Sequence, residues 1–358
     1  MEWPSLIIDD LVCSVPIIQG GMGVGVSMAN LAAAVALEGG IGVISAAMPG
    51  IGEPDIARNG EQANTRVLQQ EIRKARKMTR GILGVNVMVA LTNFEGMVKT
   101  AVDEGVDILF AGAGLPLNLP SCLQNGARTK LVPIVSSARA AVVICKKWRS
   151  RFGRLPDAFV VEGPDAGGHL GFKVEQIDDK AYALEVLVDD VIHAVQSFVE
   201  KGRRPIPVIA AGGIFSGGDI KRFLNLGASG VQLGTRFVAT HECDADMAFK
   251  QAYVDARAED LMIIQSPVGL PGRVVRNAFV DDVQRGQTKQ IKCPYHCLKT
   301  CDPQKSPYCI ALALANARKG KLKHGFAFAG KNAYRVTEII SVKSLMYSLK
   351  KEFAAAGI

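Results

Sequence analysis

The sequence predicts an α/β fold of the (β/α)8, or TIM-barrel, type, and three observations lead there. Eight short apolar runs recur between residues 15 and 237, helix-like segments separate them, and glycine-rich or polar motifs follow the runs. Runs that are apolar nearly throughout, without alternation, suit parallel strands buried on both faces. Motifs placed after the strands suit a barrel, whose chemistry sits at the C-terminal ends of its strands.

The first strand expected is Val15–Gln19, and the helix Asn30–Glu38 returns the chain to the second, Ile41–Ser45. Leu83–Val89 is the third, followed by the helix Phe94–Glu104 and the fourth strand, Ile108–Gly112. Leu131–Ser136 and the helix Ala138–Trp148 make the fifth unit; Ala158–Glu162 and the helix Tyr182–Lys201 make the sixth. Pro207–Gly212, the helix Gly218–Leu226 and Gly230–Phe237 complete the series. A doubly wound open sheet has the same local pattern, but eight units fit closure. From about Asp260 the alternation stops. The expected division is a barrel over residues 1–259 and a loop-rich appendage over 260–358, ending in a helix near Val342–Phe353.

Hydrophobic residues at 48% and charged residues at 21% place the chain among globular proteins. The opening lacks a basic segment followed by a long apolar one, so no secretory signal is expected. The apolar stretch Val24–Met48 is broken by Asn30, Glu38 and glycines, so no membrane span is expected either. A cytoplasmic location follows as the expectation. The net charge of +8 is spread along the chain, which favours an anionic cofactor or small-molecule substrate over nucleic acid. Self-association is left open.

Five motifs carry the candidate chemistry: QGGMGVG (Gln19 to Gly25), GVNV (Gly84 to Val87), EGPDAGGH (Glu162 to His169), AAGGI (Ala210 to Ile214) and QLGTRF (Gln232 to Phe237). Gly212 and Gly213 permit positive φ and close backbone approach, and a helix starting near Gly217 or Gly218 offers N–H groups to a phosphate. Gly234 and Thr235 add a backbone donor and a hydroxyl from the next strand, where barrels of this kind usually hold phosphate. Taken singly, these glycines would only make tight turns. The dinucleotide fingerprint is absent, since Val26 stands at its third glycine position, and no Walker sequence occurs. Flavin mononucleotide is compatible.

Together PIIQGGMG, GVNVMV, EGPDAGGHLG, PVIAAGGI and GVQLGTRF resemble the nitronate monooxygenase family, formerly 2-nitropropane dioxygenases, which includes the related enoyl-acyl carrier protein reductase II. The resemblance spans roughly residues 13 to 277. It implies FMN at the barrel mouth. Gly21 and Met22 would pack against the flavin ring, Asn86 would hydrogen-bond it, and Gly212, Gly213, Gly234 and Thr235 would hold the phosphate. Gly23, Glu162, Gly168 and Gln232 complete the cofactor-binding set drawn from the same motifs. The sequence departs from one branch of the family, whose first glycine loop continues Thr-Pro; here Gly23-Val24-Gly25-Val26 stands instead, which bears on the substrate.

His169 corresponds to the family histidine that faces flavin and substrate. An imidazole suits removal of an acidic proton from a nitroalkane or delivery of one to a forming carbanion. Glu162 and Asp165 are candidates to orient its ring or to meet flavin ribityl hydroxyls. The leading function is an FMN-dependent nitronate monooxygenase, yielding a carbonyl compound and nitrite. The alternatives are an NAD(P)H-dependent enoyl-thioester or quinone reductase and, from another class, a flavin-binding electron carrier or regulatory protein. A reading like inosine monophosphate dehydrogenase is weaker, because the loop after the sixth strand has no cysteine.

Four of eight cysteines fall in CPYHCLKTCDPQKSPYC, as Cys293, Cys297, Cys301 and Cys309; Cys13, Cys122, Cys145 and Cys243 are scattered. The spacing matches neither common ferredoxins nor zinc fingers. A helix over Cys293–Cys301 would align three thiols, with His296 as a substitute ligand and Lys292 and Lys299 favouring thiolates. One metal centre on the four cysteines is expected, iron–sulfur ahead of zinc. The other reading is a set of reduced cysteines in a lid.

Overall fold

The chain opens with an antiparallel hairpin, β1 (Leu6–Ile8) and β2 (Leu11–Cys13). The structure, a computed structural model, describes residues 3–123, 126–199, 204–289, 293 and 295–357. Eight parallel strands follow: β3 (Ile17–Gln19), β4 (Gly42–Ser45), β5 (Leu83–Met88), β6 (Ile108–Gly112), β7 (Lys130–Val135), β8 (Phe159–Glu162) and, past a two-residue strand β9 (Gly168–His169), β10 (Val208–Ala211) and β11 (Gly230–Leu233). Their order is β3-β11-β10-β8-β7-β6-β5-β4. The two outer strands meet through a parallel bridge between Ile18 and Ile41, so the sheet closes and the open doubly wound alternative is excluded.

Alternation of side chains sorts each strand into an inward and an outward set. Ile18, Val43, Phe110, Val132, Val160 and Ile209 fill the barrel, and Leu6, Ile8 and Cys13 of the hairpin close its base. The outward set packs on the ring of helices α1 (Ala29–Leu37), α2 (Gly60–Met78), α3 (Phe94–Asp103), α4 (Ala138–Phe152), α5 (Leu184–Gln196) and α6 (Gly217–Asn225). The expected helix from Tyr182 begins at Leu184, and its expected end at Lys201 lies outside the described residues.

The eighth strand is shorter than expected. It ends at Leu233, and the chain turns at Gly234 into a short helix, α7 (Thr235–Val238). Helix α8 (Met247–Val254) then leads to β12 (Leu261–Gln265) and β13 (Pro271–Val275), an antiparallel pair to which β9 adds through Gly272 opposite His169. The C-terminal part is therefore less loop-rich than its sequence suggests. It supplies two strands of this three-stranded sheet and, among the described residues, three further α-helices, α9 (Ala278–Gln284), α10 (Ile310–Arg318) and α11 (Val342–Ala355). No helix among the described residues is long and apolar enough to cross a membrane.

Candidate active site

Residues that continue the inward set past the hydrophobic layers face the barrel mouth. On β5 this places Asn86 above Gly84, on β8 Glu162 above Val160, and on β11 Gln232 above Gly230. The loop after β3 folds over them at close range. A methyl group at Gly21 would lie 2.3 Å from Asn86 Cβ, and one at Gly20 would lie 3.2 Å from Gln232, so only glycine lets this backbone cross the mouth. Met22 is pinned by its N–H to Ser27 Oγ at 2.8 Å, and its sulfur lies 3.6 Å from where a methyl on Gly234 would stand.

The phosphate motifs converge, but not as expected. Gly212 and Gly213 both hold positive φ, 96° and 82°, as a tight turn after β10 requires. The N-terminus of α6, expected to face the phosphate, is already occupied. Gly217 N–H donates to Glu352 Oε2 of α11 at 2.7 Å, Ser216 and Asp219 form a capping box, and α11 covers Gly217 so closely that a methyl there would meet Leu349 O at 2.2 Å. A helix end has few free donors, and here the Gly217 and Asp219 N–H groups are engaged. Further donors lie at Gly234 and Thr235, also named from the sequence, where α7 starts and its first N–H groups have no helical partner. Thr235 Oγ1 accepts from Gly330 N–H at 3.1 Å, which leaves its own proton to donate. The neighbouring Arg236 keeps Nε buried and without a partner among the described residues while its guanidinium stacks on Phe215 at 4.4 Å.

His169 lies on β9, at the rim. Its Nε2 is 2.8 Å from Ser266 Oγ, its ring meets Phe328 edge-on at 5.0 Å, and burial pushes its pKa down to about 4. The imidazole is therefore neutral at pH 7. Neither Glu162 nor Asp165 orients it, contrary to expectation. Asp165 pairs with Lys331 Nζ at 3.1 Å, and Glu162 stays in the mouth, where burial pushes its carboxyl up to about 7. Gly168, φ 88°, supplies the turn into β9, with Arg273 opposite it. The buried Arg273 donates to Pro164 O at 2.6 Å and Ala166 O at 2.8 Å and so fixes the loop that carries His169.

Several of these residues escape motif reading. Ser266, Arg273, Phe328, Gly330 and Asn332 come from the C-terminal part; Asn332 Nδ2 donates to Gly213 O at 2.6 Å. The only sequence signal for them is that His169 alone on a strand end needs a partner. A cavity of about 310 Å³ opens beside Gly212 and Gly213, walled by Asp165, Asp219, Arg222 and Lys331. It borders the phosphate turn and touches neither His169 nor Asn86.

The cysteine segment is not helical over its described residues. Leu298 forms an antiparallel bridge to Leu91, just past β5, and Lys299 Nζ donates to Val89 O at 3.0 Å. His296 Nε2 is held by Cys301 O at 3.0 Å, and Lys292 lies outside the described residues. Burial pushes Cys297 up to about 12, with Cys309, Cys293 and Cys301 each adding to the shift. Among the described residues no three His, Cys, Asp or Glu side chains converge to hold a metal ion, so they do not form the metal centre expected of the four cysteines.

A closed barrel with a glycine-cradled mouth, a phosphate-suited turn after β11 and a neutral rim histidine defines a flavin-type oxidoreductase scaffold. The nitronate monooxygenase family model matches residues 5–352, and the chain belongs to that family of FMN-dependent oxidoreductases. FabK from Thermotoga maritima superposes with a TM-score of 0.73 at 29% identity, covering 95% of this chain and 92% of that one. Nitroalkane oxidase from Streptomyces ansochromogenes gives 0.72 at 25% identity, covering 95% and 96%. A curated relative from Mycobacterium tuberculosis, (3aS,4S,5R,7aS)-5-hydroxy-7a-methyl-1-oxo-octahydro-1H-indene-4-carboxyl-CoA dehydrogenase, is 28% identical over 271 residues, 76% of this chain and 66% of its own length.

Proposed function

We propose that the chain oxidises alkyl nitronates, and the nitroalkanes that give them, with His169 as the base. The observation that carries this reading is a half-buried imidazole held neutral at the barrel rim, with Ser266 on one nitrogen. A neutral imidazole has a lone pair to take a proton and no added proton to give, although the burial that lowers its pKa also makes it a weaker base. That favours deprotonating a carbon acid over protonating a carbanion, as a reductase would require.

The residues present fit FMN. Gly21 leaves the space a Cβ would fill, the Gly234–Thr235 turn has donors to spare, and Arg236 Nε is buried with no hydrogen-bond partner among the described residues. Gly212, Gly213, Gly234 and Thr235 would hold the phosphate, while Gly21, Met22, Gly23, Asn86 and Gln232 would hold the ring. When bound, FMN supplies the electron acceptor, and oxygen completes formation of the carbonyl compound and nitrite. The chain's part is to handle the proton. With Nε2–H donating to Ser266 Oγ, Nδ1 presents the lone pair that takes the α-proton of a neutral nitroalkane. The imidazolium then formed is stabilised by the adjacent nitronate anion, which offsets the desolvation that otherwise depresses its pKa.

Nitrite release with matched oxygen uptake from a primary nitroalkane is the direct assay. Production of nitrite by wild type, and its loss in His169→Ala, supports the reading; no nitrite from either nitroalkane or nitronate overturns it. The likeness to FabK supports a second reading, reduction of an enoyl thioester by NAD(P)H on the same scaffold.

A further inference from the structure

We propose that residues 329–332, which lie outside every glycine motif, are the clamp that shapes the phosphate site of FMN, with Gly330 and Asn332 as its positioning residues. The segment touches three of the motifs at once. Asn332 Nδ2 donates to Gly213 O at 2.6 Å, and Gly330 N–H donates to Thr235 Oγ1 at 3.1 Å. Lys331 anchors the segment to the loop that carries His169, through its N–H to Asp165 O at 3.1 Å and its Nζ to Asp165 Oδ1 at 3.1 Å. Ala329 N–H donates to Arg273 O at 3.1 Å, which ties the segment to β13 as well. The fit is tight. A methyl at Gly167 would lie 2.6 Å from Ala329 C and Gly330 N, and one at Gly330 would lie 3.0 Å from Thr235 Oγ1.

Both contacts aim a donor and leave it free. A trans peptide points its C=O and N–H in opposite directions, so holding Gly213 O turns the Ile214 N–H away from Asn332. No hydrogen bond among the described residues uses the N–H of Gly213 or of Ile214. Thr235 Oγ1, accepting from Gly330, keeps its own proton to give. The two turns fixed in this way follow neighbouring strands, β10 and β11, where Ala211 stands opposite Gln232. Backbone N–H groups and a hydroxyl set in advance on adjacent turns suit a phosphate, whose oxygens accept charge-assisted hydrogen bonds. Lys331 and Asn332 also line the cavity beside Gly212 and Gly213, so the clamp forms part of its wall. The proposal rests on FMN as the cofactor and is independent of the substrate.

The test compares FMN with riboflavin, which lacks the phosphate. The full chain is stripped of flavin and titrated with each, with quenching of flavin fluorescence as the readout. Wild type should bind FMN more tightly than riboflavin. Asn332→Ala should weaken FMN by about tenfold or more, as expected when donors to a charged group lose their alignment, and leave riboflavin within about twofold. Gly330→Ala, which crowds Thr235 Oγ1, should do the same, and it decides alone where Asn332→Ala does not fold. Equal weakening of both flavins overturns the proposal, because a segment that only supports the fold would not distinguish them. So does unchanged FMN affinity in both variants. Wild type that binds riboflavin as tightly as FMN overturns it by showing that no phosphate is held, and wild type that takes up neither overturns the FMN assignment beneath it.

Discussion

At residue scale the site turns on His169, whose candidacy is legible because two glycines and a strand end precede it. Its partner is not legible. Ser266 lies 97 residues away, outside any motif, and only β13 pairing with β9 brings its segment to the histidine. His169→Ala should lower turnover of a neutral nitroalkane by about two to four decades while sparing a pre-formed nitronate, which needs no base. Because burial holds the ring near pKa 4, kcat/KM for the nitroalkane should stay level from pH 8 to about 5 and fall below that. Ser266→Ala should move that lower limb while leaving FMN bound. Glu162 titrates in the opposite sense. Its folded pKa is raised to about 7, so the folded state binds the proton more tightly, and stability falls as pH rises from about 4.5 to 7. Glu162→Gln should stabilise the flavin-free protein by up to about 3 kcal/mol at pH 8 and hardly at pH 4, as read by thermal melts at both.

At the scale of elements, the eight strands and most helices are legible because apolar runs and turn glycines are local signals. The state of the α6 N-terminus is less so. Ser216-Gly217-Gly218 reads as a helix start awaiting an anion, and the anion turns out to be Glu352 from the chain's own last helix. No local pattern links residues 135 positions apart. The start of α7 was hidden for another reason: Gly234 interrupts a run whose remaining residues, Arg236 aside, suit a strand. Two variants separate these roles. Glu352→Ala should cost about 1–2 kcal/mol of stability, by removing a charged partner from α6, with FMN content unchanged. Gly213→Val should empty the phosphate site, since its φ is 82° and its Cβ would sit 2.8 Å from Asp165 Cβ. Retention of FMN in Gly213→Val, by mass analysis of the extracted cofactor, would put the phosphate elsewhere.

At the scale of the whole molecule, the barrel supplies the floor of the site and the C-terminal part supplies its wall. Phe328 and Ser266 meet His169, Asn332 holds Gly213, Gly330 donates to Thr235, and Arg318 Nη1 reaches Gly25 O at 3.3 Å. The sequence shows the barrel through its repeated units and underrates the wall, because the β9–β12–β13 sheet is assembled from segments far apart in the chain. The solved structures of the same architecture to which the chain is similar include both FabK and a nitroalkane oxidase. The decisive measurement is anaerobic stopped-flow absorbance of the flavin, mixed in turn with a nitronate, NADH and NADPH. Rapid bleaching by the nitronate, with slow or no bleaching by either nicotinamide, is the predicted result. Rapid bleaching by NADH or NADPH and none by the nitronate would contradict it and assign the chain to the reductases.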